Sequence, residues 1–243
     1  MKKLLCALCT IFVFCNIYAA WDAEKTNTFL SAMERAADPD NAGKSIKTME
    51  ISGESIIKQL NIKITTNVFY KTPDKLKSVS ISPLQTTTLY FNGKKGIKDD
   101  SIGGVSPVEG IQLKELEMQA KRLNPALPLR QAYSKIEIQD EPEERNGKKY
   151  VVLICSDDAS GLFPQKVLVD PDTKLIAYVT GKFNSDMGVV EITTHYIKYS
   201  KINGLMLPVK FVQSMMNIEI EVNVAKFIVN KKYPDSMFEY QEQ

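Results

Sequence analysis

The sequence has few of the residues that build covalent cross-links and metal sites. It contains four cysteines and one histidine, His195. Three of the cysteines lie within the first fifteen residues, so a chain trimmed of them keeps only Cys155 and cannot form an internal disulfide. A single histidine cannot supply a typical zinc site with several His and Cys ligands. Cys15 follows the bulky Phe14, which disfavours acylation of Cys15 as a lipid anchor.

The sequence also lacks an apolar run long enough to cross a membrane. The longest run, Leu4–Phe14, is too short to span a bilayer comfortably. Lys2 and Lys3 precede this run and small residues follow it at positions 19 and 20, which is the pattern of a secretory signal peptide. We therefore predict a signal peptide over residues 1–19, a periplasmic location, and a single domain over residues 20–243 that does not span the membrane.

An excess of either charge is also missing. The chain has 31 Lys and Arg against 29 Asp and Glu, and removal of Lys2 and Lys3 leaves 29 of each. A neutral mature chain has no electrostatic basis for binding nucleic acid, so nucleic-acid partners are not expected.

Most of the remaining sequence has the pattern of β-strands. In Leu60–Asn92, β-branched and aromatic residues alternate with polar ones, and turn signals interrupt the run at Thr72-Pro73-Asp74 and Ser82-Pro83. Similar segments continue from Ser134 to Val229, separated by turn signals such as Asn203-Gly204. About ten antiparallel strands are expected.

Two segments have the pattern of amphipathic helices instead. Asp22–Ala37 carries Phe29, Leu30 and Met33 on one side, and Glu109–Asn124 carries an apolar stripe at three-to-four spacing. Two helices cannot bury both faces of so wide a sheet, and a wide antiparallel sheet must curl. The predicted fold is mainly β, of the α+β class, with a sheet wrapped around an apolar cavity and the helices as a lid.

Several segments also resemble a known family. The order YKTPDKLKSVSIS, TTTLYFNGKKGI, a helix opening with EGIQLKEL, KVLVDPDTKLIAYV and YIKYSKINGLMLPVKF is similar to the LolA/LolB-like superfamily of periplasmic lipoprotein-sorting proteins. The similarity is closer to generic LolA-like proteins than to LolA itself. It implies a half-open antiparallel β-barrel that holds acyl chains in a hydrophobic cavity. LolA members use a cavity arginine to hold the closed form, whereas the corresponding strands here carry Lys71, Lys75 and Lys77.

These observations predict a non-catalytic carrier or sensor of lipid or lipoprotein acyl chains, without cofactor or metal. The implied partners are acyl chains or other lipid, with donor and acceptor proteins at the inner and outer membranes. The residues expected to line the cavity are apolar: Phe29, Met33, Ile62, Ile64, Val79, Ile81, Leu89, Phe91, Leu113, Leu116, Leu123, Phe211, Ile218, Ile220 and Val222.

Other interpretations of the same residues are weaker. His195 is expected to be an ordinary strand residue, Cys155 a small buried apolar residue, and no pair of carboxylates is marked for acid-base catalysis. The main alternative function is an envelope protein-interaction module, such as a protease-accessory or regulatory subunit, which predicts a filled core and an exposed apolar patch. An outer-membrane barrel is disfavoured by the two amphipathic helices.

Overall fold

The computed structural model describes residues 21–125, 127–185 and 188–241. The predicted signal peptide, residues 1–19, lies outside the described residues. The helices are α1 (Ala23–Ala37), α2 (Gly110–Leu123) and α3 (Leu129–Ala132), with short 3-10 helices at Gly43–Ser45 and Asp235–Phe238. The strands are β1 (Thr48–Ile57), β2 (Ile62–Lys71), β3 (Lys75–Ile81), β4 (Thr86–Phe91), β5 (Gly96–Asp100), β6 (Gly104–Val108), β7 (Lys135–Ile138), β8 (Glu143–Arg145), β9 (Lys148–Ser156), β10 (Gln165–Val169), β11 (Ile176–Ser185), β12 (Gly188–Ile202), β13 (Leu205–Met215) and β14 (Ile218–Val229).

The fourteen strands form one antiparallel sheet. Its order is β6-β5-β4-β3-β2-β1-β14-β13-β12-β11-β10-β9-β7, and β8 pairs with β9. The pairing of β1 with β14 joins the first and last strands of the chain, while β6 and β7 are the two ends of the sheet. The predicted fold class, a mainly β open sheet with a few helices, is confirmed. The sequence analysis underestimated the strand number, and β6 and β8 are among the strands it did not predict.

Both predicted amphipathic helices are present. The α1 helix begins after Asp22, whose side chain accepts a hydrogen bond from the Lys25 backbone N–H at 2.8 Å and so caps the first turn. It buries Phe29, Leu30 and Met33, the residues that its periodicity indicated. Within the described ranges, no helix is long and apolar enough to cross a membrane.

The α2 helix shows that the sheet curls. It packs against β5, where a Cβ on Gly96 would come within 3.0 Å of the Leu116 side chain. It also reaches β11, where the Glu115 carboxylate accepts hydrogen bonds from Asn184. These two strands are eight positions apart in the sheet. A flat sheet would separate them by roughly 40 Å, far more than the diameter of a helix. The helices therefore lie on the concave face, around which the sheet is wrapped.

One row of buried side chains identifies the concave face. Directly opposed residues of neighbouring strands point to the same side of a sheet. The register pairs Met49 with Tyr70, Tyr70 with Leu76, and Leu76 with Phe91, and all four are at most 3% exposed. Leu76 and Phe91 pack with Leu116 of α2. The concave face is therefore the side of the sheet that carries this row and, by alternation, every second residue along each strand.

The other half of the concave face lies under α1. Leu153 of β9 and Val167 of β10 are paired and almost completely buried. They belong to one cluster with Phe29 and Met33 of α1 and Met118 of α2.

The C-terminal segment 230–241 crosses the opposite, convex face. Asp235 forms ion pairs with Lys71 at 2.6 Å and Lys75 at 2.8 Å, and Tyr233 makes an edge contact with Phe69. These strand residues alternate with the buried row, so their side chains are on the convex side.

Candidate functional site

An apolar trough occupies the part of the concave face nearest the β1–β2 and β13–β14 turns. The register aligns Ile62 with Ile57, Ile57 with Ile220, and Ile220 with Gln213 across four neighbouring strands. In the next row on the same face, Phe211 pairs with Val222. The trough consists of Ile57, Ile62, Ile64, Phe211, Ile218, Ile220 and Val222.

The trough side chains are half-buried, in contrast to the row under α2. None of them is part of the three buried clusters that contact the helices or of the side chains that pack against those clusters, as far as the described residues show. The helices therefore cover one half of the concave face and leave apolar surface in the other half partly open to solvent.

The wall of the trough on the β3 and β4 side is polar. Ser80 lies between Thr66 and Thr87 in the register, and its hydroxyl is 3.3 Å from that of Thr66. Beside them, Asp100 accepts hydrogen bonds from Gln85 and Thr87, and the backbone N–H groups of residues 102 and 103 lower the pKa of this carboxyl. The trough is therefore amphipathic, with apolar side chains on β1, β2, β13 and β14 and hydroxyl groups on β2, β3 and β4.

The register corrects the predicted orientation of β3. Val79 pairs with Asn67 and Thr88, and Ile81 pairs with Thr65, all of which alternate with the concave row. The prediction that Val79 and Ile81 face the interior is therefore wrong, and Ser78 and Ser80 occupy the concave positions instead. Sequence analysis missed this polar wall, although the alternation of serine with apolar residues in β3 was visible.

The remaining predicted residues lie within or against the packed interior. Phe29, Met33, Phe91 and Leu116 are at most 8% exposed. Leu89, Leu113 and Leu123 are half-buried and pack against the cluster that contains Phe91 and Leu116. A ligand could reach these residues only if the covering helices, α1 or α2, moved away from the sheet.

A small pocket separates α2 from β9, β10 and β11. Its lining includes Met118, Arg122, Tyr133, Cys155, Gln165 and Phe183. Its volume of about 20 Å³ is enough for roughly one water molecule, whereas pockets for drug-sized ligands typically measure about 300–1,000 Å³. This pocket is closed to an acyl chain in the structure.

The Cys155 thiol and the Tyr133 hydroxyl of this pocket are unsuited to proton transfer at neutral pH. Burial raises the pKa of the Cys155 thiol to about 12 and that of the Tyr133 hydroxyl to about 12. The Tyr133 hydroxyl donates a hydrogen bond to the Gln165 side-chain oxygen at 2.8 Å. Both groups therefore stay protonated near pH 7, and the expectation that Cys155 is a small buried residue is confirmed by its 0% exposure.

Polar contacts hold the helices in place over the concave face. Arg130 of α3 forms a two-pronged ion pair with Glu34 of α1, with N–O distances of 2.7 and 3.0 Å. Glu115 of α2 accepts from the backbone N–H of Asn184 at 2.9 Å and from its side-chain amide at 3.2 Å. Because Glu115 and Asn184 connect the helix to the end of β11, this contact is a latch between α2 and the sheet.

His195 has a structural environment on the convex face. Its ring stacks on Tyr178 with 4.2 Å between ring centroids, and burial together with the charge of Arg145 lowers its pKa. In the described part of the chain, no group of three or more His, Cys, Asp or Glu side chains is placed to hold a metal ion.

Comparison with known proteins gives similarity in structure only. No family model matches the sequence. No curated protein matches it either.

Three solved structures resemble this chain over most of its length. An outer membrane lipoprotein-sorting protein domain from Vibrio parahaemolyticus has a TM-score of 0.53 and 14% identity, covering 86% of this chain and 94% of its own. A LolA superfamily protein from Nitrosomonas europaea has a TM-score of 0.54 and 12% identity, covering 88% of this chain and 97% of its own. A DUF1329 family protein from Desulfovibrio piger has a TM-score of 0.55 and 12% identity with the same coverage. At these identities the likeness concerns the fold. The chain has the LolA-like fold.

Proposed function

We propose that this protein is a non-catalytic periplasmic carrier or sensor that binds a lipid or lipoprotein acyl chain along the trough. The observation that supports this most strongly is the half-buried row Ile62, Ile57 and Ile220, which lies on the concave face but outside the clusters that the helices cover. Apolar surface left partly open on the inner side of a curled sheet is suited to a flexible hydrocarbon chain.

The energy of such binding would come from apolar burial. Each methylene transferred from water contributes about 0.8 kcal/mol, so a segment of ten would contribute on the order of 8 kcal/mol before the entropy cost of binding. The polar wall formed by Thr66, Ser80 and Thr87 gives the polar end of an amphiphile hydrogen-bonding partners on one side of the trough. An amphiphile thus suits this surface better than a plain hydrocarbon does.

Deeper binding would require movement of α2. The pocket beneath this helix holds only about 20 Å³, so a chain that enters it must displace the helix from β11. The Glu115–Asn184 latch is the contact that would break first, because it joins α2 to the end of that strand.

A second candidate function is a protein-interaction module of the cell envelope without lipid cargo. An interaction module is expected to have a filled core, so the small volume of the pocket beneath α2 supports this alternative. The three solved structures include a lipoprotein-sorting domain, so the carrier is preferred on fold likeness together with the open trough.

Neighbouring residues on opposite faces of β1 provide a matched test. Ile57 lies in the trough, whereas Ile56 is on the convex face and 37% exposed. The double variant Ile57→Gln with Ile220→Gln should weaken binding of a fluorescent fatty acid by roughly tenfold or more, since it removes two apolar contacts. Ile56→Gln should bind like the unmodified protein. Equal affinity in all three proteins, with folding verified by circular dichroism, would refute binding in the trough.

A further inference from the structure

The turns at one end of the sheet carry exposed apolar side chains. We name this end the lower rim and define it by the turns at 58–61, 82–85, 101–103, 157–164 and 216–217. Each contains one large apolar residue that is between 39% and 73% exposed. These residues are Leu60, Leu84, Ile102, Phe163 and Met216.

The antiparallel pairing places these turns together. Alternate turns of an antiparallel sheet lie at the same end, and the register confirms it: Ile57 pairs with both Ile62 and Ile220, at the ends of β1, β2 and β14. The next turns along this end follow β3 and β5. Because strands are about 4.8 Å apart, neighbouring hairpin tips are roughly 10 Å from one another.

The opposite end of the sheet is a built-in comparison. Its turns lie at 72–74, 92–95, 146–147, 171–174 and 203–204, and consist mainly of Asn, Gly, Asp, Pro, Thr and Lys. Ten large apolar side chains are exposed in the described part of the chain, and none is in these turns. Five of the ten are in the turns of the lower rim. Four more lie within the two strand residues nearest to that rim: Ile56, Ile81, Val105 and Val189.

The lower rim has the features of a surface that enters a fluid apolar phase. Its side chains project singly from separate hairpins, whereas the centre of a protein interface is a contiguous, densely packed patch. A bilayer can close around separate protrusions without a complementary shape. The lysines near the tips are paired, Lys58 with Glu219 at 3.4 Å and Lys63 with Glu54 at 2.6 Å, so the rim does not present a strong charge of one sign.

We propose that the lower rim docks reversibly on a phospholipid bilayer, with Leu60, Leu84, Ile102, Phe163 and Met216 inserted among the lipid chains. Insertion of apolar side chains into the interface drives peripheral binding through buried apolar area. The turn 157–164 adds the acidic residues Asp157 and Asp158, so the rim has no excess of positive charge and binding requires no anionic lipid. This docking does not depend on lipid cargo, because the rim residues lie outside the trough. Docking would nonetheless bring the mouth of the trough, at Ile57 and Ile218, to the membrane surface.

Flotation with vesicles tests the proposal. The purified protein should float with vesicles of phosphatidylcholine alone, and added phosphatidylglycerol or salt should change the bound fraction little. Each of Leu60→Ser, Leu84→Ser and Met216→Asn should weaken partitioning by roughly tenfold, because each removes one inserted side chain. Asn is chosen at position 216 because the backbone there has φ of 54°, which Asn tolerates.

One substitution away from the rim serves as the control. Ile197 is 48% exposed and lies within β12, so Ile197→Ser removes exposed apolar surface without altering the rim. It should float like the unmodified protein. Failure of the unmodified protein to float, equal loss in Ile197→Ser, or binding that requires anionic lipid and disappears in salt would each overturn the proposal.

Site-specific labelling gives a second measurement. Cys155 is 0% exposed, so an added surface cysteine can be labelled selectively. An environment-sensitive dye at Leu84→Cys should shift to the blue on addition of phosphatidylcholine vesicles, and the same dye at Asp172→Cys, in the opposite turns, should not. Equal shifts at both positions would refute a specific orientation. If the unmodified protein floats with vesicles but does not bind a fluorescent fatty acid, the proposed function is contradicted and the docking proposal is not.

Discussion

The Glu50 network on the convex face predicts a specific loss of stability in acid. Glu50 is 7% exposed and accepts hydrogen bonds from the Tyr233 hydroxyl and from Lys226 and Lys231, both at 3.2 Å. Tyr233 and Lys231 belong to the C-terminal segment, so this carboxylate fastens that segment to β1. Substitution Glu50→Gln keeps the shape of the side chain and removes its charge.

The magnitude follows from the pKa of Glu50. The hydrogen bond from Tyr233, followed by those from Lys226 and Lys231, lowers this pKa from 4.5 to about 2. At about 1.4 kcal/mol for each tenfold change in proton affinity, the Glu50 network contributes at most roughly 3 kcal/mol to the free energy of unfolding. The two lysines are more than half exposed, so solvent screening reduces the expected value to about 1–2 kcal/mol. Because the folded-state pKa is depressed, this stability is complete above pH 4.5 and is lost as the pH falls towards 2.

Urea unfolding at several pH values measures the effect. At pH 7, Glu50→Gln should lower the free energy of unfolding by about 1–2 kcal/mol relative to the unmodified protein, and the difference should shrink between pH 4.5 and 2. Glu54→Gln is the matched control. Glu54 lies four residues further along β1 on the same face. Its ion pair with Lys63 is about half exposed on both sides, so its loss should lower the free energy of unfolding by less than about 1 kcal/mol. A Glu50 effect that is independent of pH, or equal to that of Glu54, would refute the reasoning.

Two further predictions concern the covered half of the concave face. Burial raises the pKa of Cys155 to about 12, so alkylation at pH 8 should be at least roughly 100-fold slower in the native protein than in urea, and similar rates would contradict its burial. Glu115→Ala removes the acceptor for both Asn184 donors, which should speed hydrogen exchange in α2, hasten association of a fluorescent fatty acid and cost about 1–3 kcal/mol of stability. Glu117→Ala, on the same helix, should leave exchange and association unchanged, and identical behaviour of the two variants would show that Glu115 is not a latch.

Local chemistry made much of the fold predictable. Asn203-Gly204 and Asn146-Gly147 have positive φ at both residues, as a tight hairpin turn requires, and the sequence marked both pairs. The boundaries of α1 and α2 follow from apolar periodicity, with Asp22 as the cap of α1. In these segments a few neighbouring residues determine the backbone conformation.

Strands that depend on their neighbours were missed. The β6 sequence contains Gly104 and Pro107, both unfavourable in a strand, and it forms only because it pairs with the edge of β5. The β8 strand consists of three charged residues paired to β9. Neither segment carries a pattern of its own, so tertiary pairing decides its conformation.

The candidate site was predicted in part. Ile62, Ile64, Ile220 and Val222 lie on the concave face, as the alternation indicated. In β3, however, Leu76 is the buried concave residue and Val79 is on the convex face. Alternation separates two faces but does not say which one is inside, and that information comes only from the register with neighbouring strands. The apolar tips of the lower rim were visible as single large residues in every second turn, such as Leu60 and Leu84, but their common location follows from the pairing.

Native mass spectrometry of the protein purified from the periplasm of exporting cells tests the central claim most directly. The carrier account predicts a population with the mass of one bound lipid or acylated species, which the double variant Ile57→Gln with Ile220→Gln should lose. A single species at the mass of the bare polypeptide, in protein that also fails to enhance a fluorescent fatty acid, would contradict lipid binding in the trough.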